Sequence, residues 1–147
     1  MRQKLAIMLS IIMIVIGVAG NYAFASGNTT DTAFDFTLNP TSGEADYDTT
    51  TKRHKEKDNK VYVKVTSIDS NAVSVAWIQG SKRSTPTTFM NCANNKNYNL
   101  SQKGVQYMSN NVIGNDCYYA RIAIKGRAGT GDNRIKGVWS PDNSSNI

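Results

Sequence analysis

Hydrophobic and polar residues alternate with a period of two in several short runs of this chain, the spacing that lays one side of an extended segment on a core and the other in water. In AFDFTL, Phe34, Phe36 and Leu38 share a face, and Asn39-Pro40 ends the run. In KVYVKV the face is Val61, Val63 and Val65, backed by Tyr62, Lys64 and Thr66. NAVSVAWI puts Val73, Val75 and Trp77 on one side, and the intervening SIDSN is short enough for these two runs to pair as a hairpin. Residues 87–92, 105–108, 117–125 and 135–139 supply further strands. About seven strands separated by Gly, Asn, Asp and Ser clusters are the pattern of a sandwich or small barrel. The expected fold is all-β, a small antiparallel β-sandwich. Apolar residues of the later chain never recur at three-and-four spacing for more than a turn, so no helix is expected there.

The first residues follow a different pattern. Arg2 and Lys4 precede an apolar run over residues 5–20, and Ala23-Phe24-Ala25 then places small side chains at the two positions a signal peptidase requires. Residues 1–25 read as a cleaved signal peptide, and residues 26–147 as one secreted β domain without a stable membrane span. An uncleaved anchor is the competing reading, since a span needs roughly 17–25 apolar residues and this run is only slightly short. Export bears on the cysteines. Cys92 and Cys117 form an even pair in an oxidising compartment, so one disulfide between them is expected. In chain-entropy terms such a bond contributes about 3–4 kcal/mol.

Charge is distributed unevenly. Of the 17 basic residues, 15 follow the leader, against 11 acidic ones, and all 15 lie after residue 51, where only six acidic residues are found. Residues 41–59 hold almost no apolar side chain and pass from acidic to basic, which predicts a long exposed charged loop that cannot offset its ordering entropy by burial. The polar end, residues 140–147, is expected to fray. Within the loop and just beyond it, Lys52, Arg53, Lys55, Lys57 and Lys60 form the densest positive stretch. A loop of this kind can hold phosphates or carboxylates electrostatically, which points to an anionic cell-wall polymer or a membrane surface as partner. An ordinary solvated charged loop is the plainer alternative. Nucleic acid is not an expected partner, because export separates the chain from it and no Gly-rich or aromatic RNA motif is present.

Candidate chemistry is sparse. His54 is the only histidine and sits inside KRHKEK, where solvation is its expected fate. A sortase-like arrangement would need His54, Cys117 and Arg127, but Gly114-Asn115-Asp116 precedes the cysteine where such enzymes carry a threonine. Glu44, Asp46 and Asp48 alternate, and Gly131-Asp132-Asn133 adds an acidic turn, yet the Gly and terminal Glu of a calcium loop are missing. No catalytic residue, metal site or cofactor is therefore expected. Tyr118, Tyr119, Trp77 and Trp139 could stack on sugars if exposed, although aromatics at strand spacing are more often core.

The segments Thr32-Ala33-Phe34-Asp35-Phe36 and Gly137-Val138-Trp139-Ser140-Pro141-Asp142, flanking a β-rich middle, resemble small exported proteins of Gram-positive bacteria classed as a domain family of unknown function. A more distant similarity is to lactococcin-type bacteriocins, from which this chain differs in length and in lacking a Trp-rich opening. The first resemblance implies an extracellular protein with no established enzymology and supplies no site residues. The expected function is a secreted, non-enzymatic protein acting by binding at the bacterial cell envelope. A bacteriocin-like toxin is the alternative, and a small exported hydrolase a lesser one.

Overall fold

The computed structural model describes residues 27–39, 47–69, 74–86, 88–127 and 132–144. The leader and residues 41–46 of the charged segment lie outside them. In chain order the strands are β1 (Thr32–Leu38), β2 (Tyr47–Thr49), β3 (Arg53–His54), β4 (Val61–Ile68), β5 (Ser74–Ser81), β6 (Met90–Asn91), β7 (Tyr98–Leu100), β8 (Gly104–Met108), β9 (Tyr119–Gly126) and β10 (Asn133–Ser140). A 3-10 turn at Ile113–Asn115 precedes β9. They form two antiparallel sheets packed face to face, one in the order β1-β10-β4-β8, the other in the order β2-β9-β5-β6 with β3 also on β9 and β7 also on β5.

The first sheet follows the alternation of its sequence. Phe34, Phe36 and Leu38 of β1, and Val61, Val63 and Val65 of β4, are buried against Ile135 and Trp139 of β10. Complete burial of side chains of this size contributes roughly 1.5–3 kcal/mol each. Asp35, Lys64 and Lys136 take the outer face, where Asp35 binds Arg134 (3.2 Å) and Lys136 (2.8 Å). Between β10 and β4 the register shifts at Lys136/Gly137. A glycine is needed there: a Cβ at Gly137 would stand 2.6 Å from Phe34 Cζ and press on the Lys64 carbonyl.

β5 departs from the expected hairpin. It lies in the second sheet, paired with β9 from Ser74↔Gly126 to Ser81↔Tyr119, whereas β4 lies in the first sheet between β10 and β8. Its inward face is also the opposite of the one expected. Ser74, Ala76, Ile78 and Gly80 are buried, while Val75 and Trp77 are half-buried on the outer side. Across the β5–β9 register Ala76 and Ile78 stand opposite Ile124 and Ile122, and together with Ala120 they form the inner layer of the second sheet. Val73 lies outside the described residues.

The Cys92–Cys117 disulfide is not formed. The two residues lie 4.2 Å apart, unbonded, both buried in the core, whereas an S–S bond is about 2.05 Å long. They pack as two thiols over Gly80, where a Cβ would sit 2.7 Å from Cys92 Sγ. Burial and the neighbouring Cys92 push the Cys117 thiol up to about 11, so both chemistry and packing keep it protonated at neutral pH.

Two segments read as loose are tied down. Within the expected exposed loop, β2 and β3 pair with β9, Thr50 is buried with its hydroxyl accepting from the Ile122 N–H (2.9 Å), and Lys55 is buried. In the expected fraying tail, Ser140, Pro141, Asp142 and Asn143 are buried. The two segments meet where Lys55 pairs with Asp142.

Candidate functional site

Asp142 is the hub of a closed polar corner. Its Oδ2 accepts from the backbone N–H of Asn28 (2.8 Å) and Glu56 (3.0 Å), and its Oδ1 from the N–H of Lys57 (3.1 Å) and from Lys55 Nζ (3.0 Å). Lys55 Nζ also reaches the carbonyls of Pro141 (2.7 Å) and Asn59 (2.8 Å). Both side chains are sealed from solvent. Burial works against the Asp142 carboxylate, but the Glu56 and Asn28 N–H groups and the Lys55 charge outweigh it and hold its pKa below the usual value. Beside this corner, the Arg53 guanidinium donates to the Thr30 carbonyl, to Asn28 Oδ1 and to Thr32 Oγ1 (2.7 Å).

The five basic residues picked out from the sequence therefore divide. Arg53 and Lys55 direct their donors into the protein, Lys57 is exposed, and Lys52 and Lys60 are half-buried. His54 lies on β3, half exposed, with Nδ1 3.7 Å from Glu56 Oε1 and its ring edge-on to Tyr119 at 5.4 Å. Glu44, Asp46 and Gly131 lie outside the described residues, and Asp48 is exposed with Oδ1 accepting from the Thr49 N–H. Among the described residues, no three His, Cys, Asp or Glu side chains converge to hold a metal ion.

A second region emerges on the outer face of the second sheet. Cross-strand register places Tyr47, Lys125, Val75 and Asn99 in one row and Thr49, Ala123 and Trp77 in the next. Tyr47 is half exposed and its ring centroid stands 5.8 Å from that of Trp77, tilted by 49°. A third row fixes Arg121: its Nε donates to Gln79 Oε1 (2.8 Å), and its Cζ lies 3.6 Å over the Phe89 ring. Beside these rows opens a cleft of about 500 Å3, with Trp77 and Val75 as its apolar part and Asn91, Asn97, Asn99, Lys125 and Arg127 as its polar part. Among the described residues, the side chains of Lys125, Asn97 and Asn99 make no hydrogen bond or ion pair. Of the four aromatics considered for stacking, Trp139 is fully buried, Tyr119 faces His54, Tyr118 is exposed, and Trp77 alone lines this cleft.

The sequence signal for this cleft was ambiguous. In NAVSVAWI both alternating faces are apolar, so the run does not say which is inward. Tyr47, Lys125 and the three asparagines come from segments distant in sequence, and only sheet register assembles them.

A family model covers residues 21–143, and with them every residue of the corner and the cleft. The chain belongs to the DUF2712 family of proteins of unknown function. No curated protein and no solved structure matches it. Within this DUF2712 chain, the all-β sandwich is the shared frame on which both regions are built. Among its described residues no helix is long and apolar enough to cross a membrane.

Proposed function

We propose that this DUF2712 protein is exported, loses residues 1–25, and acts without enzymatic chemistry by binding anionic polymer at the bacterial cell envelope. The observation that carries the proposal is the fate of the charges. Among the described residues three carboxylates are ion-paired to lysine or arginine, Asp142 with Lys55, Asp35 with Arg134 and Lys136, and Asp116 with Lys82, while Asp31, Asp48, Asp58, Asp69 and Asp132 have no such partner. Lys52, Lys57, Lys60, Lys64 and Lys125 have no ion pair among the described residues. With Lys96 and Lys103 these unpaired lysines outnumber the unpaired aspartates, so the excess charge toward solvent among the described residues is positive, and a positive surface collects polyanions.

Sedimentation of the purified protein with washed Gram-positive envelopes across a salt series tests the reading. Binding should fall steeply as salt rises. The triple substitution of Lys52, Lys57 and Lys60 by Gln should weaken it while leaving the corner intact, because Arg53 and Lys55 are kept. Absence of binding at low salt would dispose of the proposal; full binding by the triple variant would move the contact to the remaining lysines.

A further inference from the structure

We infer that the cleft beside Trp77 is a saccharide-binding site that takes a pyranose oligosaccharide bearing carboxylate groups, the indole stacking on a sugar face and Lys125 meeting the negative charge. This deepens the envelope reading and rests on it for the source of the ligand.

Three features of the cleft combine to select that chemistry. A sugar ring has an apolar face of C–H bonds and a rim of hydroxyls, so it needs a flat aromatic surface beside polar groups that both donate and accept. Trp77 supplies the surface on the outer side of β5, and Tyr47, 5.8 Å away and half exposed, extends it at an angle. Asn97 and Asn99 supply the rim: each amide offers two donors and an acceptor carbonyl, matching hydroxyl and acetamido groups, and neither is used within the described protein. Lys125 supplies the sign. It is half-buried along the row that joins Tyr47 to Val75 and unpaired among the described residues, and no acidic side chain is among the described residues that line the cleft. The cleft volume of about 500 Å3 falls within the range of roughly 300–1,000 Å3 typical of small-ligand sites. A protein partner would favour a broader, drier patch; a phosphate alone would leave the indole without a role.

The Trp content makes the site directly observable. Only two tryptophans are present, and Trp139 is fully buried between the sheets, so a ligand-induced change in emission reports Trp77. Purified protein should be titrated with a hyaluronan hexasaccharide, which alternates uronate and N-acetylglucosamine, and with chitohexaose, its neutral acetamido counterpart. We expect saturable quenching or a spectral shift with the first and at least about tenfold weaker binding of the second, the loss of one charged contact. By calorimetry, Trp77→Ala and Lys125→Gln should each weaken binding of the uronate oligosaccharide by about tenfold or more. Asn99→Ala provides a third variant with little bearing on folding, expected to weaken binding severalfold. Failure of both sugars to bind, equal affinity for the two, or unchanged affinity in Trp77→Ala would overturn the site.

Envelope sedimentation separates this failure from that of the wider reading. Oligosaccharide binding without envelope binding keeps the site and rejects the envelope. Envelope binding that is unchanged in Trp77→Ala rejects the cleft as the point of attachment and leaves the electrostatic reading standing.

Discussion

The corner around Asp142 and the cleft beside Trp77 handle polar groups in opposite ways. In the corner, every charge finds its partner inside the protein: the carboxylate takes four donors, and Lys55 Nζ reaches three residues. In the cleft, an ammonium and two amides stand beside an indole with their hydrogen-bonding capacity unused among the described residues. A satisfied buried network fixes the path of the chain and has nothing left for a ligand, whereas unsatisfied groups at a half-open surface leave the fold largely indifferent and remain available. The comparison separates basic residues that fold the protein from basic residues that can bind, a distinction that net charge does not make.

The sharpest way to break it is to remove Asp142. Asp142→Ala leaves Lys55 buried and unpaired and strips three backbone N–H groups of their acceptor, so we expect a loss of about 3–5 kcal/mol in urea unfolding. Lys55→Met should cost less, roughly 1–3 kcal/mol, because the carboxylate keeps its three backbone donors. Equal losses would mean that the ion pair, rather than the carboxylate's capture of the backbone, holds the corner. On the core side, Trp139→Ala should cost about 3–5 kcal/mol, as the indole is wholly enclosed. A loss below about 1 kcal/mol would mean that the space between the sheets collapses easily.

Neither the corner nor the cleft is a local property of the chain, which explains how far the sequence reading reaches. The first sheet is legible because Phe34, Phe36 and Leu38, like Val61, Val63 and Val65, are backed by polar residues, so only one face can be inward. β5 is not, since Val75 and Trp77 compete with Ala76 and Ile78 and the smaller pair is buried. β2, β3 and β7 are only two or three residues long, too short for alternation to show. Lys55 looks like any loop lysine until Asp142, 87 residues later, is brought beside it. Cys92 and Cys117, expected to form a disulfide, lie side by side as thiols instead, a contact that only the fold brings about.

Acid should weaken the corner before it alters the cleft. The pKa of Asp142 is lowered in the folded state, so the unfolded chain, with a value near the ordinary 3.8, binds the proton first as pH falls. The stability it contributes is complete above that ordinary value and is lost as pH falls through the lower, folded one. Asp35 on the outer face of the first sheet adds a contribution of the same sign, held at about 2 by the Arg134 and Lys136 side chains. The Asp35→Asn variant isolates the corner. Its urea midpoint should be constant from neutral pH down to about pH 5 and decline below about pH 4. If the decline vanishes in that variant, the acid sensitivity belongs to the surface group and Asp142 is not the proton-linked support proposed here.

The smallest expected effect on stability is the most informative about the cleft. Trp77→Ala removes a large side chain, but one that is half-buried on the outer face, with Tyr47 as its ring neighbour and no part in the layer formed by Ile78, Ile122 and Trp139. We expect a change of about 1 kcal/mol or less in urea unfolding, against the several lost on removing Trp139. A fold that tolerates the loss of an indole does not require it for packing, and an aromatic surface of that size kept toward water beside unused amides calls for a role in contact with something else. Should Trp77→Ala prove as destabilising as Trp139→Ala, the indole would be a structural cover over β9, and the division between a corner that folds and a cleft that binds would fail at its second term.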